Sequence, residues 1–205
     1  MDPVETPEPR RYDTIAPRPP EGTVDLEALL PGEGPLELDV GFGRGMSLFA
    51  RAEVSPESRI LGIEIKAKWA TKVNWRRERL GLERMRVWAA DAREALSRCG
   101  PDRCVHRVFV HFPDPWWKKR HQKRRVLQPS FLDTLARLLV PGGELFVQTD
   151  VEDRHALYVA TIEAHPSFVL EVRALATNPF GAVSNRERRA EEDGLPIHRL
   201  LARTR

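Results

Sequence analysis

Two short stretches of this chain carry residue types suited to chemistry. The first is Asp39-Val40-Gly41-Phe42-Gly43-Arg44-Gly45, in which three alternate glycines allow a tight turn and a close approach of backbone to a ligand. A dinucleotide-binding fingerprint would need glycine at position 46, which is Met46, and no Gly-Lys-Ser/Thr follows to make a phosphate loop. What accompanies the glycines is acid. Glu64 lies 23 residues after Gly41, and Asp91-Ala92 follows at a similar interval. Carboxylates suit a ligand bearing an ammonium, a ribose and an adenine better than one bearing phosphates. Glu64 is placed to accept from ribose hydroxyls, Asp91 from an adenine amino group, and Asp39 faces the ammonium end. Asp91, directly before a helical pattern, also reads as a plain helix cap.

The second stretch runs from His111 through Phe112-Pro113-Asp114-Pro115-Trp116-Trp117 to Lys118-Lys119-Arg120-His121-Gln122-Lys123-Arg124-Arg125. Two prolines fix the backbone on either side of the Asp114 carboxylate. Trp116 and Trp117 offer flat surfaces to a base. Six Lys or Arg and one His in the eight positions 118–125 make a density suited to phosphates. The same asymmetry appears on a larger scale. Residues 66–125 hold 18 Lys and Arg against 6 Asp and Glu, a net of +12 in a chain whose total is only +3. A local excess of that size points to a polyanion, most simply a nucleic acid, although a solvated basic surface gives the same count.

The elements that must hold these residues follow from periodicity. Apolar runs at 36–42, 59–65, 84–90, 107–112 and 144–149 read as buried strands. Amphipathic runs at 46–52, 66–80, 92–98, 128–140 and 152–164 read as the intervening helices, the fourth stopped by Pro141-Gly142-Gly143. Trp69, Val73 and Leu80 share one face of the second. Two later strands are expected at 168–174 and 198–203. Alternation of this kind predicts an α/β fold, a doubly wound, mostly parallel seven-stranded sheet. Its ligands belong at the carboxyl ends of the strands, where Asp39, Glu64, Asp91, Asp114 and Asp150 all fall. Residues 1–34 hold most of eight prolines found before position 36 and read as a loosely docked arm with a short helix near 24–30, leaving 35–205 as the catalytic domain.

The second stretch closely resembles the pattern P-D-P-W-x-K-x-R-H-x-K-R-R of the tRNA (guanine-N7-)-methyltransferase family, matched at every defined position from Pro113 to Arg125. The family's glycine motif resembles residues 39–45 with Asp for Glu, its G-I-E is Gly62-Ile63-Glu64, its D-A is Asp91-Ala92, and its T-D is Thr149-Asp150. The resemblance covers residues 35–165 and implies a doubly wound fold of the Rossmann-like methyltransferase type and methylation of guanosine N7 in the tRNA variable loop. It implies S-adenosylmethionine as the cofactor, as does the resemblance of residues 39–45 to the first motif of S-adenosylmethionine-dependent methyltransferases, with contacts from Asp39, Gly41, Gly43, Gly45, Glu64, Asp91 and Ala92. Asp114 becomes the catalytic candidate. Lys118, Asp150, Ser184 and Glu187 become substrate-binding candidates, and Lys119, Arg120, His121, Lys123, Arg124 and Arg125 candidates for RNA phosphates. Near the C-terminus the family's T-[KR]-[FY]-E-x-[KR] has its counterpart in Ser184-Asn185-Arg186-Glu187-Arg188-Arg189, with Arg186 at the aromatic position as a plane that can stack on a base.

Two other classes stay open at this point: an amine methyltransferase, whose motif would be D/N-P-P-aromatic, and a catalytically silent RNA-binding module. Cys99 and Cys104 lack zinc spacing, so no metal is expected, and His106 and His111 read as packing or loop residues. Trp69, Trp75 and Trp88 read as core or half-buried. Met1–Arg10 shows no apolar signal segment, and no run is apolar enough to span a membrane. Two cysteines fit a reducing cytoplasm, and a monomer or homodimer is expected.

Overall fold

The computed structural model describes residues 11–113 and 125–205. Seven strands form one sheet: β1 Leu36–Val40, β2 Arg59–Glu64, β3 Met85–Ala89, β4 Val105–His111, β5 Leu139–Thr149, β6 Phe168–Val172 and β7 His198–Thr204. Their order is β3-β2-β1-β4-β5-β7-β6. Strands β1 to β5 pair in parallel, and β7 runs antiparallel between β5 and β6. The strand order reverses between β1 and β4, which makes their carboxyl ends the switch point of the sheet.

The helices are α1 Arg11–Ile15, α2 Leu26–Leu29, α3 Met46–Val54, α4 Ala67–Arg79, α5 Ala92–Ser97, α6 Pro129–Leu138, α7 Glu152–Glu163 and α8 Asn185–Glu192. One face of the sheet, with Leu38, Val40, Leu61, Ile63, Val108, Val110, Leu145 and Val147, packs on residues of α5, α6 and α7 such as Leu96, Phe131, Leu135 and Ile162. On the other face Ile60, Met85, Val87 and Ala89 lie under Ala70 and Val73 of α4. Farther along, Phe109, Phe146 and Leu201 lie under Phe180 and Ala182.

Several sequence expectations are corrected. Helix α6 ends at Leu138 and not at Val140. Leu139 is already extended and pairs with Val105, so Pro141-Gly142-Gly143 falls inside the run of β5. The ladder pulls those residues out of the helix. The buried side of α4 is Ala67, Ala70, Thr71 and Val73, while Leu80 lies in solvent. Trp88 is core, but Trp75 is half exposed at 48%. The described residues before Leu36, 11–35, dock more firmly than an arm of prolines suggests. Val24, Leu26 and Leu30 belong to the main core, and each fully buried leucine contributes about 1.5–3 kcal/mol. Val24–Asp25 pairs with Cys99–Gly100, and the Asp25 carboxylate caps α2 through the Glu27 and Ala28 N–H groups. The Pro17 carbonyl accepts from Ala89 N–H at 2.6 Å.

Candidate active site

The carboxyl ends of the strands open into a cleft of about 980 Å³. Its near wall is the loop after β1. Gly41 and Gly43 have φ of 80° and 58°, and a Cβ on either would meet nothing within 4 Å, so the backbone here is bare toward open space. Gly45 differs. It is the N-cap of α3, and a Cβ there would lie 2.6 Å from Val73 Cγ2, so this glycine permits α3 to pack on α4 and is absent from the cleft wall.

Glu64 ends β2 and holds this loop. One carboxylate oxygen accepts from Gly43 N–H at 2.9 Å and the other from Lys66 N–H at 2.8 Å. A carboxylate has about four acceptor sites, so two remain for a ligand's hydroxyls. Asp91 lines the next part of the wall. It is the N-cap of α5, accepting from Arg93 N–H at 2.9 Å, and it pairs with the Arg93 guanidinium, which holds its carboxyl below the usual range. The cap and the cleft position coexist, with Ala92 beside it.

Asp39 lies outside the cleft wall. It is buried at 2% exposure, and its Oδ2 accepts from the Ser47 hydroxyl at 2.5 Å. Its Oδ1 is buried without a partner. Burial raises its pKa to about 7, Ser47 opposes this, and the neighbouring Glu64 and Glu37 add to it.

The far wall is formed by His111, Phe112, Pro113, Asp150, Val151, Ser184, Asn185, Arg186 and Arg189. Phe112 holds a left-handed φ of 46°, a strained conformation for a side chain of that size, while its N–H donates to the Gln148 carbonyl at 2.7 Å. Asp150 pairs with Arg186, whose Nε donates at 2.8 Å. The carboxylate takes an edge of the guanidinium expected to stack on a base, and an in-plane contact of this kind leaves the faces of that group for stacking. Ser184 lines the cleft, but its hydroxyl serves as the N-cap of α8, in a capping box with Glu187. Glu187 itself is not in the wall. At 1% exposure it accepts from Gln148 Nε2 at 2.8 Å and pairs with Arg199 at 3.1 Å. The expectation that Glu187 reads substrate is replaced by a structural role, because α8 turns it toward the sheet.

Beneath α8 the sheet carries three registered rows across β4, β5 and β7. Arg107, Glu144 and Arg203 form ion pairs of 2.6 and 2.7 Å. Phe109, Phe146 and Leu201 make the apolar row. His111, Gln148 and Arg199 make the last, next to the cleft. Sequence reasoning passed over this set, and His111, expected as a packing or loop residue, stands in the cleft wall. Gln148 inside a strand beside Thr149-Asp150 was the available signal, a polar residue in a buried run.

Asp114, Lys118, Lys119, Arg120, His121, Lys123 and Arg124 lie outside the described residues. Arg125 is half-buried, outside the cleft wall, and its carbonyl accepts from the Gln128 side chain at 2.7 Å. Cys99 and Cys104 are buried free thiols, pushed up to about 11 by burial. No helix among the described residues is long and apolar enough to cross a membrane.

Comparison with known proteins decides the family. The sequence model of a family described as putative methyltransferases matches residues 33–200. The tRNA (guanine-N(7)-)-methyltransferase of Microcystis aeruginosa is 39% identical over 176 residues, covering 83% of each chain. This chain belongs to the tRNA (guanine-N(7)-)-methyltransferase family. The Halorhodospira halophila member is 38% identical over 190 residues, 91% of this chain and 82% of its own. Among solved structures, the 16S rRNA methyltransferase KamB superposes with a TM-score of 0.65 at 18% identity, covering 87% of this chain and 91% of its own. A putative methyltransferase from Streptococcus mutans, solved in complex with SAH, does so with a TM-score of 0.55 at 11% identity, covering 88% and 93%. These likenesses establish the doubly wound methyltransferase fold expected from the alternation of strands and helices.

Proposed function

We propose that this family member transfers a methyl group from S-adenosylmethionine to N7 of a guanosine in tRNA, in the variable loop. The carrying observation is family membership together with a cleft whose two walls differ in chemistry. The near wall fits the cofactor: bare backbone at Gly41 and Gly43, spare acceptor sites on the buried Glu64, and Asp91 with Ala92 beyond it. Glu64 would take the ribose hydroxyls and Asp91 the adenine amino group. Asp39 would act from below the loop on the ammonium end. S-adenosylmethionine supplies, when bound, a methyl group made electrophilic by its sulfonium.

The far wall would hold the base. Guanine N7 carries a lone pair and no proton, so the protein needs no general base and must chiefly orient the ring. Asp114, which the sequence sets between two prolines, would stabilise positive charge developing on that ring. Asp150 would accept from the base's N–H groups once Arg186 yields it, and Lys118 and Ser184 would line the same approach. The basic residues 119–125 would bind phosphates. Residues 35–205 would form the catalytic domain and 1–34 an arm anchored through Val24, Leu26 and Leu30. We assign the protein to the cytoplasm, as a monomer or homodimer, and give no metal a role.

Nucleoside mass spectrometry of tRNA incubated with the protein and isotopically labelled cofactor should find 7-methylguanosine. N6-methyladenosine or a methylated protein would refute the acceptor. Asp114→Asn should lower turnover by about 2–4 kcal/mol of activation free energy while leaving cofactor and tRNA affinity nearly intact. Full turnover in that variant would move the electrostatic role to Asp150.

A further inference from the structure

His111 ends β4 in the wall of the cleft and is 6% exposed. Its Nδ1 lies 2.8 Å from Gln148 Nε2, and its Nε2 is buried with no partner. The orientation of the Gln148 amide is determined by two other groups. Arg199 Nε, which can only donate, meets the amide oxygen at 3.1 Å. The Glu187 carboxylate, paired with Arg199, can only accept, and it meets the amide nitrogen at 2.8 Å. Turning the amide over would set donor against donor and oxygen against oxygen. Gln148 therefore gives one N–H to Glu187 and the other to His111 Nδ1, which must be an acceptor. The proton of the neutral ring then sits on Nε2.

The ring is held in place as well as in tautomer. It stacks on Phe109 at 5.7 Å with planes 8° apart, and the sheet register sets His111 beside Gln148 and Gln148 beside Arg199. Burial pushes the ring pKa down to about 4, with Glu187 opposing, so the ring is neutral near pH 7. A buried donor without a partner is unfavourable unless an acceptor reaches it. His111 lines the cleft, so the cleft is the side from which one can come, once the packing that now covers Nε2 gives way.

The geometry points to His111 Nε2–H as a specificity-determining donor for O6 of the acceptor guanine, held in that tautomer by the relay Arg199–Gln148–His111. This rests on the reading of the acceptor as guanosine. Guanine offers the O6 acceptor beside N7, whereas adenine offers an amino donor there, which would face the imidazole N–H without a lone pair. The relay thus gives the far wall a means of preferring guanine over adenine that sets a neutral donor, and no charged side chain, against the base.

Two measurements test it. Nitrogen-15 NMR of the full-length protein, with His111 assigned through its backbone resonances, should show a protonated Nε2 and an unprotonated Nδ1 near pH 7. The opposite tautomer or an imidazolium overturns the proposal, and this result does not depend on any substrate. The second uses tRNA with guanosine or 2-aminopurine at the acceptor position, since 2-aminopurine keeps N7 and lacks O6. His111→Phe should lose roughly tenfold or more in kcat/KM on guanosine tRNA. The unaltered protein should lose at least that factor on the 2-aminopurine tRNA, which also lacks the N1 proton offered to Asp150, and His111→Phe should add little to the loss on that tRNA. Losses that multiply overturn the proposal, while His111→Phe should bind the cofactor as the parent does. An unaltered protein that forms no 7-methylguanosine would instead remove the functional reading on which the O6 contact rests.

Discussion

The two walls of the cleft are built in different ways. At the ends of β1 and β2 the wall is backbone, shaped by glycines and held by the Glu64 carboxylate across 21 residues of chain. At the ends of β4 and β5 it is side chain, held from behind by β7 and α8, with His111, Gln148, Glu187 and Arg199 drawn from segments separated by up to 51 residues along each hydrogen bond. The first wall makes a shape that many nucleoside ligands share. The second makes a pattern of donors and acceptors that selects one base. A loop of backbone tolerates changes in nearby side chains, whereas a closed polar network tolerates almost none, because each group left unpaired in the interior is destabilising.

That contrast can be broken by substitution. The largest effect is expected at Arg199→Ala, which leaves Glu187 buried without its cation. Loss of one partner of a buried pair typically destabilises by about 3–5 kcal/mol. Denaturant unfolding should show it, while the fraction that remains folded should bind S-adenosylmethionine as before. A parallel fall in cofactor affinity would mean that the two walls are one unit.

A somewhat smaller effect is expected beneath the near wall. Asp39 has its pKa raised from 3.8 to about 7, chiefly by burial, so the folded state holds its proton more tightly than the unfolded chain does. Its contribution to stability is present below about pH 4 and is lost as pH rises through about 7. Asp39→Asn keeps the shape without the charge. Its stability relative to the parent should therefore be greater at pH 8 than at pH 5, by up to about 2.5 kcal/mol, because that window spans only part of the shift. Thermal unfolding at the two pH values measures the difference, and an equal offset at both would show that Asp39 does not titrate in this range.

Glu64→Ala should have an effect of comparable or smaller size on free energy but the most specific. It removes the acceptor for Gly43 and Lys66 N–H and the sites left for ribose, about 1.5–3 kcal/mol for hydrogen bonds to a charged group, or roughly tenfold or more in cofactor affinity. Calorimetry should find that loss with tRNA binding preserved. Undiminished cofactor affinity would dissociate the glycine loop from the ribose.

Much of the near wall was legible before any coordinates. Gly41, Gly43, Glu64 and Asp91 fall at the ends of apolar runs, and runs of that period must be strands of a parallel sheet with their ends at the ligand edge, although Asp39, placed there by the same rule, lies buried outside the wall. Even there, Gly45 resembles its two neighbours in sequence but serves the packing of α3 on α4, which no spacing reveals. The far wall was legible in its motifs and misread in its roles. Ser184 and Glu187 look like substrate-binding residues in a conserved-looking string, yet a capping box and a buried ion pair claim them. The reason is that periodicity reports which side of an element is apolar, while hydrogen-bond partners depend on which strands lie side by side.

The chain by itself determined the order of strands and helices, the glycine turn, the acids at the strand ends and the family, since each of these is written in residues close together along the sequence. Only the tertiary structure decided that the antiparallel β7 lies against β5, and hence that Arg199 faces Gln148 and Gln148 faces His111. Sheet register joins distant residues at spacings that the primary structure does not record, and it is register that turns a histidine read as a packing or loop residue into an oriented N–H at the cleft wall.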